Sequence, residues 1–351
     1  MFDVMERVLV TGATGFIGRQ LVAQLLSSRR YSVRCLVRAT TNRDSLKEHE
    51  VEIVQADFND THAVQKAVRE CDVIFNLAGT TKALSAKGFE LANVIGPCRL
   101  AEACAAMETP PVLVHVSSLA AAGPSTLGKP RTESDPARPV SRYGKSKLEG
   151  EYVLKPFASQ VPISIVRPPI VLGPGDRDGF ELFWPIARFA VHLVPGFSKS
   201  EFSLVHCVDL CRGLLEIARR GSRLDEDSLS NGAPGEGSSK GVYFVADPER
   251  LRYADLGRSI ALALGRNDKV WCIRCPMVGI WAAAAVGELM ARVRRQPHIL
   301  NFDKAREASA GSWSCDVSKL VNELGFQFPR TIVERLQEVA QWYRHHGWIQ
   351  D

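Results

Sequence analysis

The sequence has no apolar run long enough to cross a bilayer. Its longest such run, residues 277–287, is about half of the roughly 20 residues that a transmembrane helix needs. The first residues lead straight into a strand, without a basic segment followed by an apolar stretch, so no secretion signal is predicted. We therefore expect a cytoplasmic protein without an integral membrane span, in which residues 277–287 form a buried or surface-lying helix.

Metal-ligand and disulfide patterns are also scarce. The nine cysteines are an odd number scattered among apolar segments, which is typical of free thiols in a reducing compartment. Cys272 and Cys275 form one CxxC pair, but no second pair accompanies it, so we interpret both as ordinary thiols. His345 and His346 lack carboxylates or cysteines at metal-ligand spacing. The sequence predicts no bound metal.

A strong charge bias is missing as well. Lys and Arg number 44 against 39 Asp and Glu, which gives a net charge of +5. This mild basic excess suits an anionic small molecule but is far from the composition of a nucleic-acid-binding domain. We expect a small-molecule ligand and no nucleic-acid partner.

Short apolar strands alternate with helical segments through the first half of the 351 residues. The predicted strands are residues 7–10, 32–37, 51–55, 72–76, 112–116 and 163–166. The predicted helices between them are residues 15–28, 61–69, 89–107 and 140–157. This alternation predicts an α/β protein with a doubly wound parallel sheet, the Rossmann fold. The last hundred residues are mainly helical and end in an amphipathic helix near residues 331–345.

A glycine-rich segment, TGATGFIG at residues 11–18, follows the first predicted strand and opens the first helix. Its glycines let the backbone turn tightly and approach a pyrophosphate, which the N–H groups of the helix N-terminus then bind. Because strand and helix flank it in the required order, we favour dinucleotide binding over a structural turn. The predicted cofactor contacts here are Gly12, Thr14, Gly15, Phe16, Ile17 and Gly18.

The end of the second strand indicates which dinucleotide binds. An NAD site needs a carboxylate there for the ribose hydroxyls, but the sequence has Val37 and then Arg38, with Arg34 and Arg43 nearby. An arginine can pair instead with the 2′-phosphate of NADP. We predict NADP, with Arg38 as its contact and NAD as the alternative. The other interpretation is that these arginines are solvated surface groups.

Two further strand ends add predicted cofactor contacts. Asp57, with Phe58 beside it, follows the third strand; its carboxylate could accept a hydrogen bond from the adenine amino group, or could cap the next helix. The fourth strand ends in Asn76, Leu77, Ala78 and Gly79, where small residues let a cofactor lie against the backbone.

Tyr143 and Lys147 form the strongest catalytic signal. Four residues apart on a predicted helix, they share one face. An ammonium close to a phenol lowers the phenol pKa, so that Tyr143 can protonate a carbonyl or deprotonate an alcohol. Lys147 can also bind the ribose hydroxyls. A chance YxxxK is common on helix surfaces, but this one follows the fifth strand of a dinucleotide fold.

A pair of serines ends the fifth strand, at the sheet edge where ligands bind in such folds. A hydroxyl there can hold the substrate oxygen beside Tyr143. We predict Ser118 for this role, with Ser117 as a helper or as the true partner in the alternative interpretation. The alternative is that the two serines only begin a turn and do not bind substrate.

With these motifs assembled, the chain resembles the extended short-chain dehydrogenase/reductase family, of the NAD-dependent epimerase/dehydratase type. The resemblance rests on TGATGFIG at 11–18, NLAG at 76–79, VSSLAAAG at 116–123, YGKSK at 143–147, RPPIVLGPGD at 167–176 and VHCVDLCRGL at 205–214. It implies that Ser118, Tyr143 and Lys147 are the catalytic set. It also implies a proton-relay counterpart in Asn93, a contact of Pro168 with the nicotinamide, and a homodimer through the helices near 86–107 and 140–157.

The same resemblance implies a domain division. The dinucleotide-binding domain is predicted over residues 1–172, with 203–218 and 241–247 returning to it. A smaller, mostly helical substrate-binding lobe is predicted over 173–202 and 248–351. Strands near 204–205 and 242–245 are expected to return to the sheet, and 225–240 to form an exposed loop. We expect the core of the lobe to contain the aromatic residues Phe180, Phe183, Trp184, Phe189 and Phe197, and the alternative is that some of them line an apolar pocket.

Departures from the family pattern narrow the expected reaction. Sugar-nucleotide dehydratases resemble one another in an acid pair after the catalytic hydroxyl residue, where this chain has Leu119 and Ala120. Many nucleotide-sugar epimerases carry an arginine seven places before the aspartate matched by Asp209, where this chain has Phe202. The arginine-ended second strand looks like that of dihydroflavonol-type reductases, and the apolar helix with Trp281 looks like the 3β-hydroxysteroid dehydrogenase branch.

We therefore expect an oxidoreductase that transfers hydride between nicotinamide and a ketone, an aldehyde or a secondary alcohol of a bulky, uncharged substrate. The alternative is a nucleotide-sugar epimerase with tightly bound NAD(P). A non-catalytic NADP-binding sensor or assembly subunit is less favoured, because all three catalytic residues are present.

Two further features have structural interpretations. We interpret His206 as a packed core residue. We interpret Arg292, Arg294 and Arg295 as the solvated face of an ordinary helix, in preference to a helix that rests on a membrane surface.

Overall fold

The computed structural model describes residues 5–196, 199–229, 238–266, 269–294 and 301–350. The strands are β1 (Glu6–Thr11), β2 (Tyr31–Val37), β3 (Glu52–Gln55), β4 (Val73–Asn76), β5 (Val112–Val116), β6 (Ile163–Arg167), β7 (Ile170–Leu172), β8 (Val191–Pro195), β9 (Glu201–Phe202), β10 (Leu204–His206), β11 (Val242–Phe244), β12 (Leu251–Arg252) and β13 (Trp271–Cys275). The predicted Phe197 and Arg295 lie outside the described residues, as do residues 230–237, half of the predicted loop at 225–240.

The α-helices alternate with the strands in the first half of the chain and dominate its last third. They are α1 (Phe16–Ser27), α2 (Thr61–Val68), α3 (Lys87–Glu90), α4 (Gly96–Ala105), α5 (Leu119–Ala122), α6 (Arg142–Tyr152), α7 (Arg177–Phe189), α8 (Cys207–Arg220), α9 (Tyr253–Ala263), α10 (Met277–Arg294), α11 (Phe302–Ser309), α12 (Ser318–Leu324) and α13 (Ile332–His345).

Among the described residues, the central sheet has seven strands in the order β11-β6-β5-β4-β1-β2-β3. Pairing is parallel on both sides of β1, where Val8 is in register with Val33 of β2 and Val73 of β4. All three of these valines are buried, as expected for strands that are covered on both faces. The order reverses between β1 and β4, and ligands bind in the crevice at the carboxyl ends of strands at such a reversal. The predicted doubly wound α/β fold is confirmed.

The chain divides into two compact units. The first comprises Met1–Ala122, Glu133–Arg167 and Cys211–Tyr243, and the second comprises Gly123–Thr132, Pro168–Leu210 and Phe244–Asp351. The second unit is largely helical, with a core of apolar side chains from α7, α9 and α13. Residues 123–132 belong to this second unit. The assignment of dinucleotide and substrate binding to separate domains stays a prediction.

One predicted strand has a different partner. Residues 204–205 were expected to return to the central sheet, but β10 pairs in parallel with β7 in a separate two-stranded sheet. An apolar run of three residues specifies a strand without specifying its neighbour. The expectation for 242–245 is correct, since β11 takes the edge of the central sheet beside β6.

Two predicted helices are interrupted. The helix predicted over 89–107 consists of α3, a π-helical turn at Leu91–Ile95, and α4. The helix predicted over 140–157 begins at Arg142, because the Ser141 side chain accepts a hydrogen bond from the Gly144 N–H at 2.9 Å. It ends at Tyr152, before a 3₁₀ turn that contains Pro156. The first interruption contacts α6, because Asn93 in the π-helical turn donates a hydrogen bond to Ser146 at 2.9 Å.

Candidate active site

The glycine-rich turn between β1 and α1 is shaped by close backbone contacts. Gly12 has φ +68°, and a Cβ there would lie 2.8 Å from the Leu77 carbonyl and the Ala78 nitrogen. A Cβ on Gly18 would lie 2.1 Å from the Gly12 oxygen. Gly15, the N-cap of α1, has no side chain that could occupy the first N–H groups of the helix. The residues present thus form a cradle that fits a pyrophosphate.

Thr11 ties the ends of β1 and β4 together beside this turn. Its hydroxyl donates a hydrogen bond to Oδ1 of the Asn76 side chain at 2.7 Å and accepts one from the Ala78 N–H at 3.1 Å. The Asn76 amide nitrogen in turn lies 3.0 Å from Nδ1 of His115. Leu77, Ala78 and Gly79 are therefore held at the carboxyl edge of the sheet, where the sequence predicted cofactor contacts.

The arginines near the end of β2 have different surroundings. Arg38 is exposed. Arg34 is buried, donates hydrogen bonds at 2.8 Å to the carbonyls of Ala67 and Arg69, and pairs with Glu52 at 2.9 Å. Arg34 is therefore a structural residue, so the interpretation of these arginines as solvated surface groups is wrong for Arg34. Arg38 remains the predicted phosphate contact.

Asp57 and Phe58 follow β3. The Asp57 carboxylate accepts a hydrogen bond from the Asn59 N–H at 2.9 Å, whereas Asp60 caps α2 by accepting from the Ala63 N–H at 2.9 Å. The helix-capping interpretation of Asp57 is thus wrong, and its contact with adenine stays a prediction. The Phe58 ring packs on α4, 2.7 Å from where a Cβ of Gly96 would stand. The ring belongs to the buried core of the first unit, and the contact of Phe58 with a cofactor stays a prediction.

Tyr143 and Lys147 lie on α6, as predicted. Tyr143 is half-buried, and its ring centroid is 6.2 Å from that of Phe89. Lys147 is buried, and its Nζ donates a hydrogen bond to the Val116 carbonyl at the end of β5, at 2.7 Å. That ammonium is also 3.7 Å from where a Cβ of Gly79 would stand. The lysine thus reaches the ends of β4 and β5, on the crevice side of the sheet.

Burial controls the charge of this lysine. Removal from water lowers the pKa of Lys147 to about 8, while the nearby Glu151 carboxylate acts in the opposite direction. His115 is fully buried, and burial together with the Lys147 charge lowers its pKa well below the usual range. His115 is therefore a neutral neighbour of the lysine.

The two serines at the end of β5 have separate roles in the structure. Ser117 is buried and donates its hydroxyl hydrogen bond to the Glu151 carboxylate. Ser118 is half-buried, and its oxygen accepts from the Ala120 N–H at 3.1 Å, which leaves the hydroxyl proton able to donate to a substrate. This arrangement favours Ser118 over Ser117 as the predicted polarising residue.

Asn93 lies in the π-helical turn and is fully buried. Its side chain accepts from the Thr80 N–H at 2.8 Å and donates to the Thr80 carbonyl at 2.9 Å, so both backbone groups of Thr80 are satisfied. The amide also donates to the Ser146 hydroxyl at 2.9 Å. Asn93 thus links the segment after β4 to Ser146 of α6, the residue that precedes Lys147. Its implied part in a proton relay stays a prediction.

Sequence reasoning missed a buried charge cluster beneath the site. Glu151 is fully buried and pairs with Arg167 at the end of β6; the Arg167 Nε lies 2.9 Å from one carboxylate oxygen. Glu151 stands four residues after Lys147, so a signal was present: an acid at i+4 on the buried face of the same helix. The predicted nicotinamide contact, Pro168, directly follows Arg167 and belongs to the second unit.

The sequence profile of the NAD dependent epimerase/dehydratase family matches residues 8–229. The chain belongs to this family. It is accordingly an enzyme of the extended short-chain dehydrogenase/reductase type, and NAD is the cofactor for which the family is described. The expectation of an enzyme, and the resemblance on which it rested, are confirmed.

Two curated relatives cover almost the whole chain. A ceramide reductase from Caulobacter vibrioides is 28% identical over 99% of this chain and 97% of its own length. A UDP-glucose 4-epimerase from Vibrio cholerae is 26% identical over 96% of this chain and 95% of its own length. Reductases and epimerases therefore both occur among the relatives.

Solved structures share the fold. The crystal structure of gox2253 has a TM-score of 0.75, at 22% identity over 98% of this chain and 100% of that one. UDP-glucuronic acid 4-epimerase from Bacillus cereus, solved in complex with NAD, has a TM-score of 0.72, at 19% identity over 98% of both chains. These similarities bear on the fold alone.

Proposed function

We propose that this enzyme is an NADP-dependent carbonyl reductase that acts on a bulky, uncharged substrate. The buried ammonium of Lys147, four residues after Tyr143 and at the ends of β4 and β5, is the observation that carries the proposal. Bound NADPH supplies the hydride that adds to the carbonyl carbon. Tyr143 gives its phenolic proton to the carbonyl oxygen, Ser118 holds that oxygen by a hydrogen bond, and Lys147 lowers the cost of the phenolate that remains.

The preference for NADP is supported by the end of β2. Arg38 is exposed there, and residues 37–41 contain no acid that would bind the ribose hydroxyls of NAD. Arg38→Ala should raise the KM for NADPH by about tenfold or more, the effect of one charge-assisted hydrogen bond, and leave the KM for NADH unchanged. Arg30→Ala is the matched control, because Arg30 is also exposed but directly precedes the first residue of β2. Equal effects on both cofactors would contradict the preference.

An apolar substrate is supported by the second unit and by the relatives. Phe202, at the position where many epimerases carry an arginine for the diphosphate, is buried in the apolar core of that unit. The ceramide reductase relative, 28% identical over 99% of the chain, has a name that denotes reduction of a lipid. We therefore propose a lipid-like ketone as the substrate class.

Nucleotide-sugar epimerisation is the second candidate, because the Vibrio cholerae relative covers 96% of the chain. An epimerase regenerates its nicotinamide in each cycle and keeps it tightly bound, whereas a reductase exchanges it. Nucleotide extracted from the denatured purified protein separates the two. We expect less than stoichiometric nucleotide, and NADPH consumption with apolar ketones but none with UDP-sugars. NADPH binding without turnover on any ketone would indicate a sensor or an assembly subunit.

Location and assembly are part of the same proposal. The nine cysteines are free thiols in the structure, which suits the reducing cytoplasm. The homodimer is proposed through the helices within residues 86–107 and 140–157. Sedimentation equilibrium of the purified protein tests it, with a single species at twice the chain mass expected.

A further inference from the structure

Helix α10, in the second unit, turns its larger apolar side chains outward. Val278, Val286, Leu289 and Val293 are 81%, 59%, 64% and 77% exposed. Their spacing places them within one side of the helix, which we name the α10 outer face. The buried residues of α10 are Ala284, Gly287 and Ala291. A surface helix ordinarily buries its large apolar residues, so this arrangement is the reverse of the usual one.

The two-stranded sheet that precedes α10 has a similar face. Leu193 of β8 is in register with Ile273 of β13, so both side chains point to the same side, together with Trp271 two residues earlier. All three are exposed, and Trp271 is 76% exposed. On the opposite side, His192 is buried and stacks on Tyr253 with a centroid distance of 5.1 Å. One side of the sheet therefore packs into the unit while the other presents apolar groups to solvent.

The charge of residues 266–295, which include β13 and α10, indicates what kind of partner these apolar faces bind. Residues 266–295 contain six Lys or Arg and two acidic residues, a net charge of +4 in a chain whose total is +5. Arg292 and Arg294 lie in the last turn of α10. Apolar side chains flanked by arginines and by exposed tryptophan complement a lipid surface with anionic headgroups. A second copy bound through the same face would bring two such positive segments together, which is unfavourable.

We propose that α10 and the outer side of the β8–β13 sheet bind the surface of a bilayer that contains anionic lipids. The α10 outer face lies at the boundary of the acyl chains, and the arginines contact headgroup phosphates. None of the described helices is long and apolar enough to pass through a bilayer. The helix therefore rests on the surface, against our first interpretation of these arginines as part of an ordinary solvated face.

Vesicle sedimentation of the full chain tests this inference. We expect binding to vesicles of phosphatidylcholine with about one third phosphatidylglycerol, a proportion that gives a strong negative surface potential, and little binding to phosphatidylcholine alone. The double variant Leu289→Glu/Val293→Glu should lower the partition coefficient more than about tenfold. Val321→Glu, at an exposed valine on α12, is the matched control and should leave binding unchanged. Arg292→Gln and Arg294→Gln should each lower it roughly fivefold.

Fluorescence gives an independent measurement. Brominated acyl chains should quench the tryptophan emission, and Trp271→Phe should remove part of that quenching. Absence of sedimentation with anionic vesicles overturns the inference. So does concentration-dependent self-association that Leu289→Glu/Val293→Glu abolishes, because the occupant would then be a second copy. NADPH binding in solution by the double variant shows that it folds, and it separates this inference from the proposed reaction.

Discussion

Helices α6 and α10 both depart from the usual amphipathic pattern, in opposite directions. Helix α6 buries Ser146, Lys147 and Glu151, whereas α10 exposes valines and a leucine. The buried groups of α6 each have a partner, so their geometry is fixed by hydrogen bonds. The exposed valines and leucine of α10 are all apolar, so hydrogen bonds do not fix the positions of their side chains. Polar groups buried on a helix thus indicate a site whose geometry is fixed by hydrogen bonds. Large apolar groups exposed on a helix indicate a surface that binds another apolar body, here the proposed bilayer.

The largest expected effect concerns the chemistry on α6. Tyr143→Phe removes the proton donor and should lower kcat by roughly 10²–10⁴-fold, the usual contribution of general acid catalysis. NADPH binding, measured by fluorescence titration, should be retained because the ring and the fold are preserved. Turnover close to that of the unaltered enzyme would show that α6 carries no proton transfer.

The buried ion pair should matter most for stability. Glu151→Ala leaves the Arg167 guanidinium buried without its carboxylate and should reduce the free energy of unfolding by about 3–5 kcal/mol. Urea unfolding followed by circular dichroism measures this change. Glu149→Ala, on the exposed side of α6, is the matched control and should change the free energy by less than about 0.5 kcal/mol. Similar values for the two variants would contradict the assigned cluster.

The pH dependence of activity should follow the charge of Lys147. Its folded pKa is about 8, below the ordinary 10.5, so the ammonium loses its proton as the pH rises through 8. For the reduction, kcat/KM should fall about tenfold for each pH unit above that value. Lys147→Met, uncharged at every pH, should show low activity without this limb. A profile of the unaltered enzyme that stays flat to about pH 10 would show that Lys147 keeps its proton well above pH 8, against the lowered pKa.

The smallest effect is expected on the outer side of α10. Leu289→Glu places a charge where the side chain is already exposed, so the free energy of unfolding should change by less than about 0.5 kcal/mol. Ala291→Glu, on the buried side of the same helix, should destabilise the protein by several kcal/mol because a charge is removed from water. Thermal unfolding of the two variants measures the contrast. Equal losses would mean that the face is not open to solvent.

Sequence reasoning succeeded where the signal was local. The glycine spacing of 12, 15 and 18, and the strand before it, specify a turn that needs no distant partner. It failed where the partner was remote in sequence. Nothing near Arg34 indicates that its guanidinium reaches the carbonyls of Ala67 and Arg69, and the pairing of Glu151 with Arg167 depends on β6 lying beside β5. The exposed apolar side of α10 could not be predicted, because an apolar composition does not indicate which side of a helix is buried.

The attachment of Thr80 to Asn93 has a consequence for affinity. Because one side chain satisfies both backbone groups of Thr80, the segment that leaves β4 is ordered by folding itself. A dinucleotide that meets this segment then has less conformational entropy to remove from the protein. A substitution of Asn93 that removes both hydrogen bonds to Thr80 should therefore weaken cofactor binding through the added mobility of this segment.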